Sequence, residues 1–183
     1  MRNCASIDNR KLFWTITSLD KMHKKGIGDV KMLQIDDLAP DFELSADDGS
    51  TIKLSDLRGQ RVLIFFYPKA DTPGCTTQAC GFRDNFPVIE AANVVVLGIS
   101  PDSVADLAKW RAKEKLPYHL LSDMDHAVAD AYGVWGEKNM YGRAYMGIIR
   151  SHFVVDAAGK LEDVRYKVSP AKSIEFGLAQ VQQ

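Results

Sequence analysis

The chain lacks a long apolar run, a strong net charge and a large set of cysteines. Nothing in its 183 residues approaches the roughly 18 consecutive apolar residues of a transmembrane helix, so no membrane partner is predicted. A formal net charge of −1 gives no reason to expect nucleic acid as the main partner. Three cysteines are too few for a disulfide scaffold of this size. The predicted location is the cytoplasm, where any disulfide would be catalytic rather than structural.

The composition is that of a globular domain, preceded by an N-terminal segment of different character. Hydrophobic residues make up 46% and charged residues 26%, and the length suits one domain. Residues 1–32 are rich in Lys and Arg, and the apolar stretch Leu12–Leu19 is interrupted by hydroxyl residues. No secretory cleavage pattern follows that stretch. We therefore predict an extension over residues 1–32, either flexible or not native and containing a bystander Cys4, and a domain over residues 33–183.

From Leu33 onward, apolar runs alternate with helical patterns. Val62–Tyr67 and Val94–Ser100 are continuous apolar runs, which are typical of strands buried on both faces. A helix is predicted from Cys75 to about Glu90, with a kink at Pro87. Alternating strands and helices, followed by a terminal hairpin and helix, indicate an α/β domain of three layers. The other predicted elements are short strands at Asp41–Leu44, Thr51–Leu54 and His119–Leu121, helices at 103–115 and Asp125–Tyr132, a hairpin of Phe153–Asp156 with Leu161–Tyr166, and a closing helix with Ser169 as N-cap and Pro170 as first residue.

Cys75 is the residue that most strongly indicates chemistry. It follows the turn-forming sequence Thr72-Pro73-Gly74 at a predicted helix start. Unpaired amide groups and the helix dipole stabilise a thiolate at such a position. The simpler interpretation, a buried cysteine acting as a small hydrophobe, does not account for the turn residues before it. A zinc site is disfavoured, because the four histidines are scattered and no Cys-x-x-Cys pair is present.

Cys80 follows Cys75 after four intervening residues, which is not the thioredoxin spacing. On an intact helix, five positions advance the chain by about 7.5 Å and turn the side chains apart. The two cysteines would then lie beyond the ~7 Å limit for a disulfide between α-carbons. A Cys75–Cys80 bond therefore requires the first helical turn to unwind, and Gly81 makes this easier. A plain buried helix residue is the other interpretation of Cys80.

The run from Phe66 to Asp84 closely resembles peroxiredoxins of the bacterioferritin-comigratory-protein type, also called peroxiredoxin Q. Their hallmark Pro-x-x-x-Thr/Ser-x-x-Cys is matched by Pro68, Thr72 and Cys75. The resemblance covers roughly Leu33 to the end and implies a thioredoxin-like fold with a central mixed β-sheet flanked by helices. It also implies reduction of hydrogen peroxide and organic hydroperoxides. Further similar stretches are Leu97–Ser100, Leu121–Asp123, Tyr132–Lys138 and Arg150–Asp156.

The resemblance also implies a role for each matching residue. Cys75 is expected to be the peroxidatic cysteine, and Thr72 to supply the hydroxyl that hydrogen-bonds thiolate and peroxide. Pro68 is expected to shield the pocket. Arg150, placed three residues before Phe153 on the same predicted strand, is expected to face the thiolate. Without the resemblance, Arg150 would be interpreted as a surface charge at a strand end.

Some members of this subfamily keep a resolving cysteine at the position of Cys80. Its presence here implies an intramolecular disulfide formed in a monomer and reduced by thioredoxin or a similar dithiol. The resemblance implies no metal, flavin, haem or other cofactor.

Two other functions remain open from the residues alone. The first is a thiol–disulfide exchanger, against which the spacing of Cys75 and Cys80 argues. The second is a non-enzymatic redox sensor in which oxidation of these cysteines unfolds the helix and switches an interface. Only the rate with peroxide and catalytic turnover separate the sensor from the enzyme.

Overall fold

A computed structural model describes residues 32–140 and 142–182 of the protein. The predicted extension, with Cys4, lies outside these residues except for Met32, so its nature stays a prediction. Across the described ranges, no helix combines the length and the apolar character that crossing a membrane requires.

The described residues form strands and helices in the predicted alternation. The strands are β1 (Glu43–Ala46), β2 (Thr51–Lys53), β3 (Arg61–Phe66), β4 (Val94–Ser100), β5 (His119–Ser122), β6 (Trp135–Met140), β7 (Arg143–Ile148), β8 (Ser151–Val155) and β9 (Leu161–Arg165). The helices are α1 (Pro73–Asp84), α2 (Phe86–Ala91), α3 (Val104–Glu114), α4 (Ala127–Ala131) and α5 (Pro170–Val181).

A mixed sheet forms the centre of the domain, as predicted. Its strand order is β2-β1-β5-β4-β3-β8-β9, with β3, β4 and β5 parallel and the remaining pairs antiparallel. The two apolar runs of the sequence are the adjacent central strands β3 and β4. The register between β3 and β8 pairs Phe66 with Ser151, so the last residue of β3 lies beside the first residue of β8.

The side chains of β3 alternate between two hydrophobic clusters, one on each face of the sheet. Ile64 and Phe66 pack on the face that carries Val128 and Ala129 of α4. Leu63 and Phe65 pack on the opposite face, where buried residues of α1, α2, α3 and α5 lie. Helices therefore cover both faces, which confirms the predicted three layers and explains why β3 is apolar throughout.

The helix that follows β3 differs from the prediction of one kinked helix. It begins at Pro73 instead of Cys75 and ends at Asp84, and α2 starts separately after Asn85. Pro87 stands in the first turn of α2, where its missing N–H costs no helical hydrogen bond. Within a continuous helix Pro87 would have removed such a bond and clashed with a preceding carbonyl. The chain breaks at Asn85 instead of bending.

Both predicted N-caps are confirmed. The hydroxyl of Ser103 accepts a hydrogen bond from the backbone N–H of Asp106 at 3.2 Å. The hydroxyl of Ser169 accepts one from Lys172 at 3.3 Å, and Pro170 is the first residue of α5. Each cap satisfies a backbone donor that its helix leaves unpaired.

The hairpin formed by β6 and β7 was not predicted. These strands pair only with each other in the described part of the fold, and the Gly-Glu-Lys-Asn segment of β6 lacks the apolar run of a core strand. Gly142 stands in the connecting turn at φ 78°, a conformation that glycine adopts without strain. After the hairpin, Ile149 and Arg150 lead directly into β8.

Candidate active site

Cys75 lies in the first turn of α1, the helix that follows the C-terminal end of β3. Thr72 is the N-cap and Pro73 the first helical residue, so the amides of Gly74 and Cys75 belong to the set that a helix leaves unpaired. The Cys75 side chain is 2% exposed and packs in the cluster that contains Phe82. The predicted helix-start position of this thiol is confirmed by the geometry.

Hydrogen bonds hold the loop between β3 and α1. The backbone N–H of Tyr67 donates to the carbonyl of Ile99 at 3.1 Å. The N–H of Ala70 donates to the carboxylate of Asp102 at 2.7 Å. These contacts tie the loop to β4 and the turn after it, and so fix where α1 begins.

Arg150 is brought to Cys75 by the pairing of β3 with β8. Its Nη2 atom lies 3.3 Å from Cys75 Sγ, and its Nη1 atom donates to Oε1 of Gln78. Arg150 stands just before β8, not on the strand as predicted from sequence, because β8 begins at Ser151. The guanidinium thus places positive charge and N–H donors beside the sulfur, where it can stabilise a thiolate and a bound oxygen.

Thr72 and Pro68 lie in the same loop, and neither is hydrogen-bonded to the Cys75 sulfur. The Thr72 hydroxyl donates to the carbonyl of Lys69 at 2.9 Å, leaving its oxygen lone pairs to accept. Pro68 is half-buried and lies two residues beyond Phe66, the last residue of β3. The roles assigned to both by resemblance stay predictions.

Gln78 is a site residue that the sequence analysis missed. It lies one helical turn after Cys75, is 0% exposed, and accepts from Arg150. Its Nε2 atom donates to the hydroxyl of Ser173 on α5 at 2.7 Å. A fully buried glutamine is rare and needs partners for both ends of its amide. The spacing of Cys75 and Gln78 was the available signal, since residues three apart share a helix face.

Cys80 has the opposite electrostatic surroundings. Its sulfur lies 3.5 Å from Oε2 of Glu114, the last residue of α3. Burial raises the pKa of the Cys80 thiol, and the hydrogen bond to Glu114 raises it further, while the nearby Arg83 lowers it. Cys80 is therefore held as a thiol, whereas Cys75 faces a cation.

Both cysteines are free, and both lie on the uninterrupted helix α1. A disulfide between them thus needs part of α1 to unwind, as the spacing predicted. Gly81 has a second role here, because a β-carbon at this position would clash with the Ile174 side chain. Its missing side chain lets α1 lie close to α5.

A cavity of about 380 Å³ lies beside the loop that precedes Cys75 but is not lined by Cys75 itself. Its lining carries both signs of charge, and two of its lysines are already paired with aspartates. The lining residues are Lys69, Ala70, Asp71, Asp102, Asp106, Lys109, Trp110 and Lys113.

No group of three or more His, Cys, Asp or Glu residues suited to a metal ion occurs within residues 32–140 and 142–182. His152 is fully buried and hydrogen-bonded to polar side chains on both sides of its ring.

The fold and the site together define a class: a thioredoxin-like domain with a buried, arginine-paired cysteine at a helix start. Residues 35–164 match the AhpC/TSA family. The chain belongs to this family, and is a thiol-dependent peroxidase of the oxidoreductase class that uses a peroxide and a thiol reductant.

Individual relatives point to one branch of the family. The chain is 52% identical over 132 residues to "Peroxiredoxin Bcp" of Escherichia coli K12, covering 72% of this chain and 85% of the relative. The structure of peroxiredoxin Q from Xanthomonas campestris superposes with a TM-score of 0.73 at 36% identity, covering 77% of this chain and 89% of the other. A PrxQ variant from Xylella fastidiosa gives a TM-score of 0.77 at 30% identity, covering 82% and 96%. These matches confirm the resemblance stated from the sequence.

The Glu114 contact predicts how Cys80 reacts. Replacing Glu114 by Gln removes a negative charge beside the sulfur, which lowers the Cys80 pKa and increases its thiolate fraction near neutral pH. We expect Cys80 to be alkylated several-fold faster by iodoacetamide in Cys75→Ser/Glu114→Gln than in Cys75→Ser alone. Peptide mapping by mass spectrometry separates Cys80 from Cys4.

Glu90→Gln supplies the matched control, because Glu90 is an exposed acid on the neighbouring helix α2. An unchanged or slower alkylation of Cys80 in the Glu114→Gln protein would contradict the proposed effect of this carboxylate.

Proposed function

We propose that the protein reduces hydrogen peroxide and organic hydroperoxides by attack of the Cys75 thiolate, and that Cys80 resolves the product. The observation that carries this proposal is the 3.3 Å approach of Arg150 Nη2 to the buried Cys75 sulfur at the start of α1. Donors and a positive charge at that point suit a reaction in which negative charge develops on oxygen.

In the first step the thiolate attacks one peroxide oxygen in line with the oxygen–oxygen bond. The sulfur gains that oxygen and two electrons pass to the leaving oxygen, which departs as hydroxide or alkoxide and takes up a proton. Cys75 is oxidised to a sulfenic acid, while the peroxide is reduced to water or an alcohol.

Most of the acceleration is assigned to donors around the breaking bond. A lower thiol pKa increases the thiolate fraction of any cysteine but reduces the nucleophilicity of that thiolate, so the net gain is small. The guanidinium of Arg150 and the first-turn amides of α1 can donate to the leaving oxygen as it becomes charged. The Thr72 hydroxyl is proposed to accept a hydrogen bond from the bound peroxide, and to donate one to it once its bond to the Lys69 carbonyl is broken. Pro68 is proposed to shield this pocket.

In the second step Cys80 condenses with the sulfenic acid, forming the Cys75–Cys80 disulfide and releasing water. This step needs α1 to unwind, which also separates Cys80 from Glu114 and so removes the contact that favours its thiol form. A dithiol such as thioredoxin then reduces the disulfide and is itself oxidised. The relatives' names do not specify the reductant, and thioredoxin, a monomeric state and a cytoplasmic location belong to this proposal.

The deciding measurement is the second-order rate constant at which the fully reduced protein consumes hydrogen peroxide. We expect a rate many orders of magnitude above that of a free thiol, and its loss in the Cys75→Ser protein. A wild-type rate equal to that of an ordinary cysteine would exclude hydrogen peroxide as the substrate. The redox-sensor function would be favoured by a fast first oxidation without turnover in the presence of thioredoxin, thioredoxin reductase and NADPH.

A Cys80→Ser variant separates the two cysteines. We expect it to reduce one equivalent of peroxide at the wild-type rate, because Arg150 faces Cys75 and not Cys80. It should then fail to recycle with thioredoxin and should accumulate sulfinic acid on Cys75, since the sulfenic acid has no nearby thiol. Stopped-flow kinetics and intact-protein mass spectrometry measure both effects.

The matched control is Cys4→Ser, which removes a cysteine from the N-terminal extension. Wild-type recycling is expected for it. Recycling by Cys80→Ser as efficient as that of the wild type would show that the resolving role is wrongly assigned.

An Arg150→Lys variant tests the geometry of the cation. Lysine keeps the charge but lacks the planar fork that contacts Cys75 and Gln78 at once. We expect the peroxide rate to fall about 100-fold, while the rate of Cys75 alkylation by iodoacetamide falls by much less. Arg143→Lys, at an exposed position on β7, is the control. Equal losses in both reactions would argue against transition-state stabilisation by Arg150.

A further inference from the structure

A row of buried polar side chains continues from Arg150 into the interior. Gln78 Nε2 lies 2.7 Å from Ser173 Oγ, and Ser173 Oγ lies 3.2 Å from Nδ1 of His152. Nε2 of His152 lies 3.1 Å from Oδ2 of Asp163. We call the five residues Arg150, Gln78, Ser173, His152 and Asp163 the polar relay. It joins α1, α5, β8 and β9, and the function proposed above does not use Ser173, His152 or Asp163.

Four of the five relay residues are buried as deeply as the hydrophobic core. Gln78, Ser173 and His152 are each 0% exposed, and Asp163 is 1% exposed. Polar groups at such depth carry a large desolvation cost unless each is hydrogen-bonded. Here every side-chain group has a partner, so the relay is a satisfied network and can specify one arrangement of its members.

With a neutral His152 ring, the two ends of the relay fix the direction of every hydrogen bond within it. Arg150 carries only donors, so the Gln78 atom that faces it is the carbonyl oxygen Oε1. The Gln78 amide nitrogen therefore faces Ser173 and donates to its hydroxyl oxygen. The Ser173 hydrogen is then available for the unprotonated Nδ1 of His152. The hydrogen of His152 lies on Nε2 and is donated to the carboxylate of Asp163, which accepts.

The charges around His152 agree with a neutral ring. The Asp163 carboxylate has its own cation, because Nε of Arg165 on β9 donates to Oδ1 at 2.8 Å. On the α5 side, Phe176 has its ring centroid 6.4 Å from that of His152 and lies beneath the Arg165 and Lys172 side chains. A doubly protonated ring would present a second donor to Ser173 and leave the serine hydrogen without its acceptor.

We propose that Ser173, His152 and Asp163 are positioning residues that hold the Gln78 amide in one orientation and thereby hold the Arg150 guanidinium against Cys75. This inference rests on the proposed function of Cys75 and Arg150. If the Gln78 amide turned over, its NH₂ group would face the guanidinium, and donor would oppose donor. Arg150 is a long, half-buried side chain, and the fixed carbonyl of Gln78 limits its rotamers to the one that reaches the sulfur.

The test variant is Ser173→Ala, which removes the hydroxyl that joins the two halves of the relay and keeps a good helix former in α5. We expect the peroxide rate constant of the reduced protein to fall about tenfold, because a displaced guanidinium loses alignment with the reacting atoms. The iodoacetamide alkylation rate of Cys75 should change by less than about twofold, since that reaction needs no leaving-oxygen donor.

Ser151→Ala is the matched control. Ser151 is equally buried, and its hydroxyl donates to the carbonyl of Ile149 instead of to a relay side chain. It should keep the wild-type peroxide rate, which would separate the relay from a general cost of losing a buried hydroxyl.

A double-mutant cycle with Arg150→Lys shows whether Ser173 acts through the arginine. If it does, Ser173→Ala should have no further effect on the peroxide rate in the Arg150→Lys protein, because the fork to be positioned is already gone. The same tenfold loss in both backgrounds would overturn the proposal. A fast wild-type rate with an unaffected Ser173→Ala protein would overturn it too, and would leave the peroxidase function standing.

The tautomer of His152 gives a readout that is independent of peroxide. Nitrogen-15 NMR of the reduced wild-type protein near neutral pH, assigned with His152→Gln, should show hydrogen on Nε2 and none on Nδ1. A ring protonated on Nδ1 would overturn the direction of the relay, even if Ser173→Ala failed to fold. A wild-type peroxide rate no faster than a free thiol would overturn the proposed function and the positioning role together.

Discussion

The contact between Arg150 and Cys75 is the interaction on which the rest of the site depends, and sheet register produces it. The two residues are 75 positions apart in sequence. Antiparallel pairing of β3 with β8 places Phe66 opposite Ser151. The loop that leads from β3 to Cys75 therefore begins beside Arg150, the residue directly before β8. A shift of one residue in this pairing would turn the side chains of β8 to the other face of the sheet. The buried clusters on both faces oppose such a shift.

One helix carries two cysteines with opposite environments. Cys75 meets the first-turn amides of α1 and a guanidinium, whereas Cys80 meets the carboxylate of Glu114, and burial raises its pKa. The folded helix therefore favours reaction at one sulfur and restrains the other. Because the two thiols differ in neighbours and not in residue type, this difference follows from where α1 lies between α3 and β8.

The proposed reaction places two conflicting requirements on the same helix. The attack on peroxide proposed for Cys75 needs α1 folded, since its first turn supplies the amides, and Gln78 reaches both Arg150 and Ser173 from it. Disulfide formation needs α1 to open, because five helical positions hold the sulfurs apart. Gly81 suits both states of α1. Its missing side chain allows close packing against Ile174 in the folded helix, and its low helix propensity makes the helix easier to unwind.

The sequence by itself determined the features whose physical causes are local. Continuous apolar runs marked β3 and β4, hydroxyl and proline residues marked the caps of α3 and α5, and Thr-Pro-Gly marked the start of the reactive helix. The motif around Cys75 indicated the family, which the comparisons confirmed. The β6–β7 hairpin escaped prediction because its strands lack an apolar run, and the break at Asn85 because the pattern suited a continued helix. Only the tertiary structure decided that Gln78, Ser173, His152 and Asp163 meet, since they come from four elements and no local pattern encodes a hydrogen bond between them.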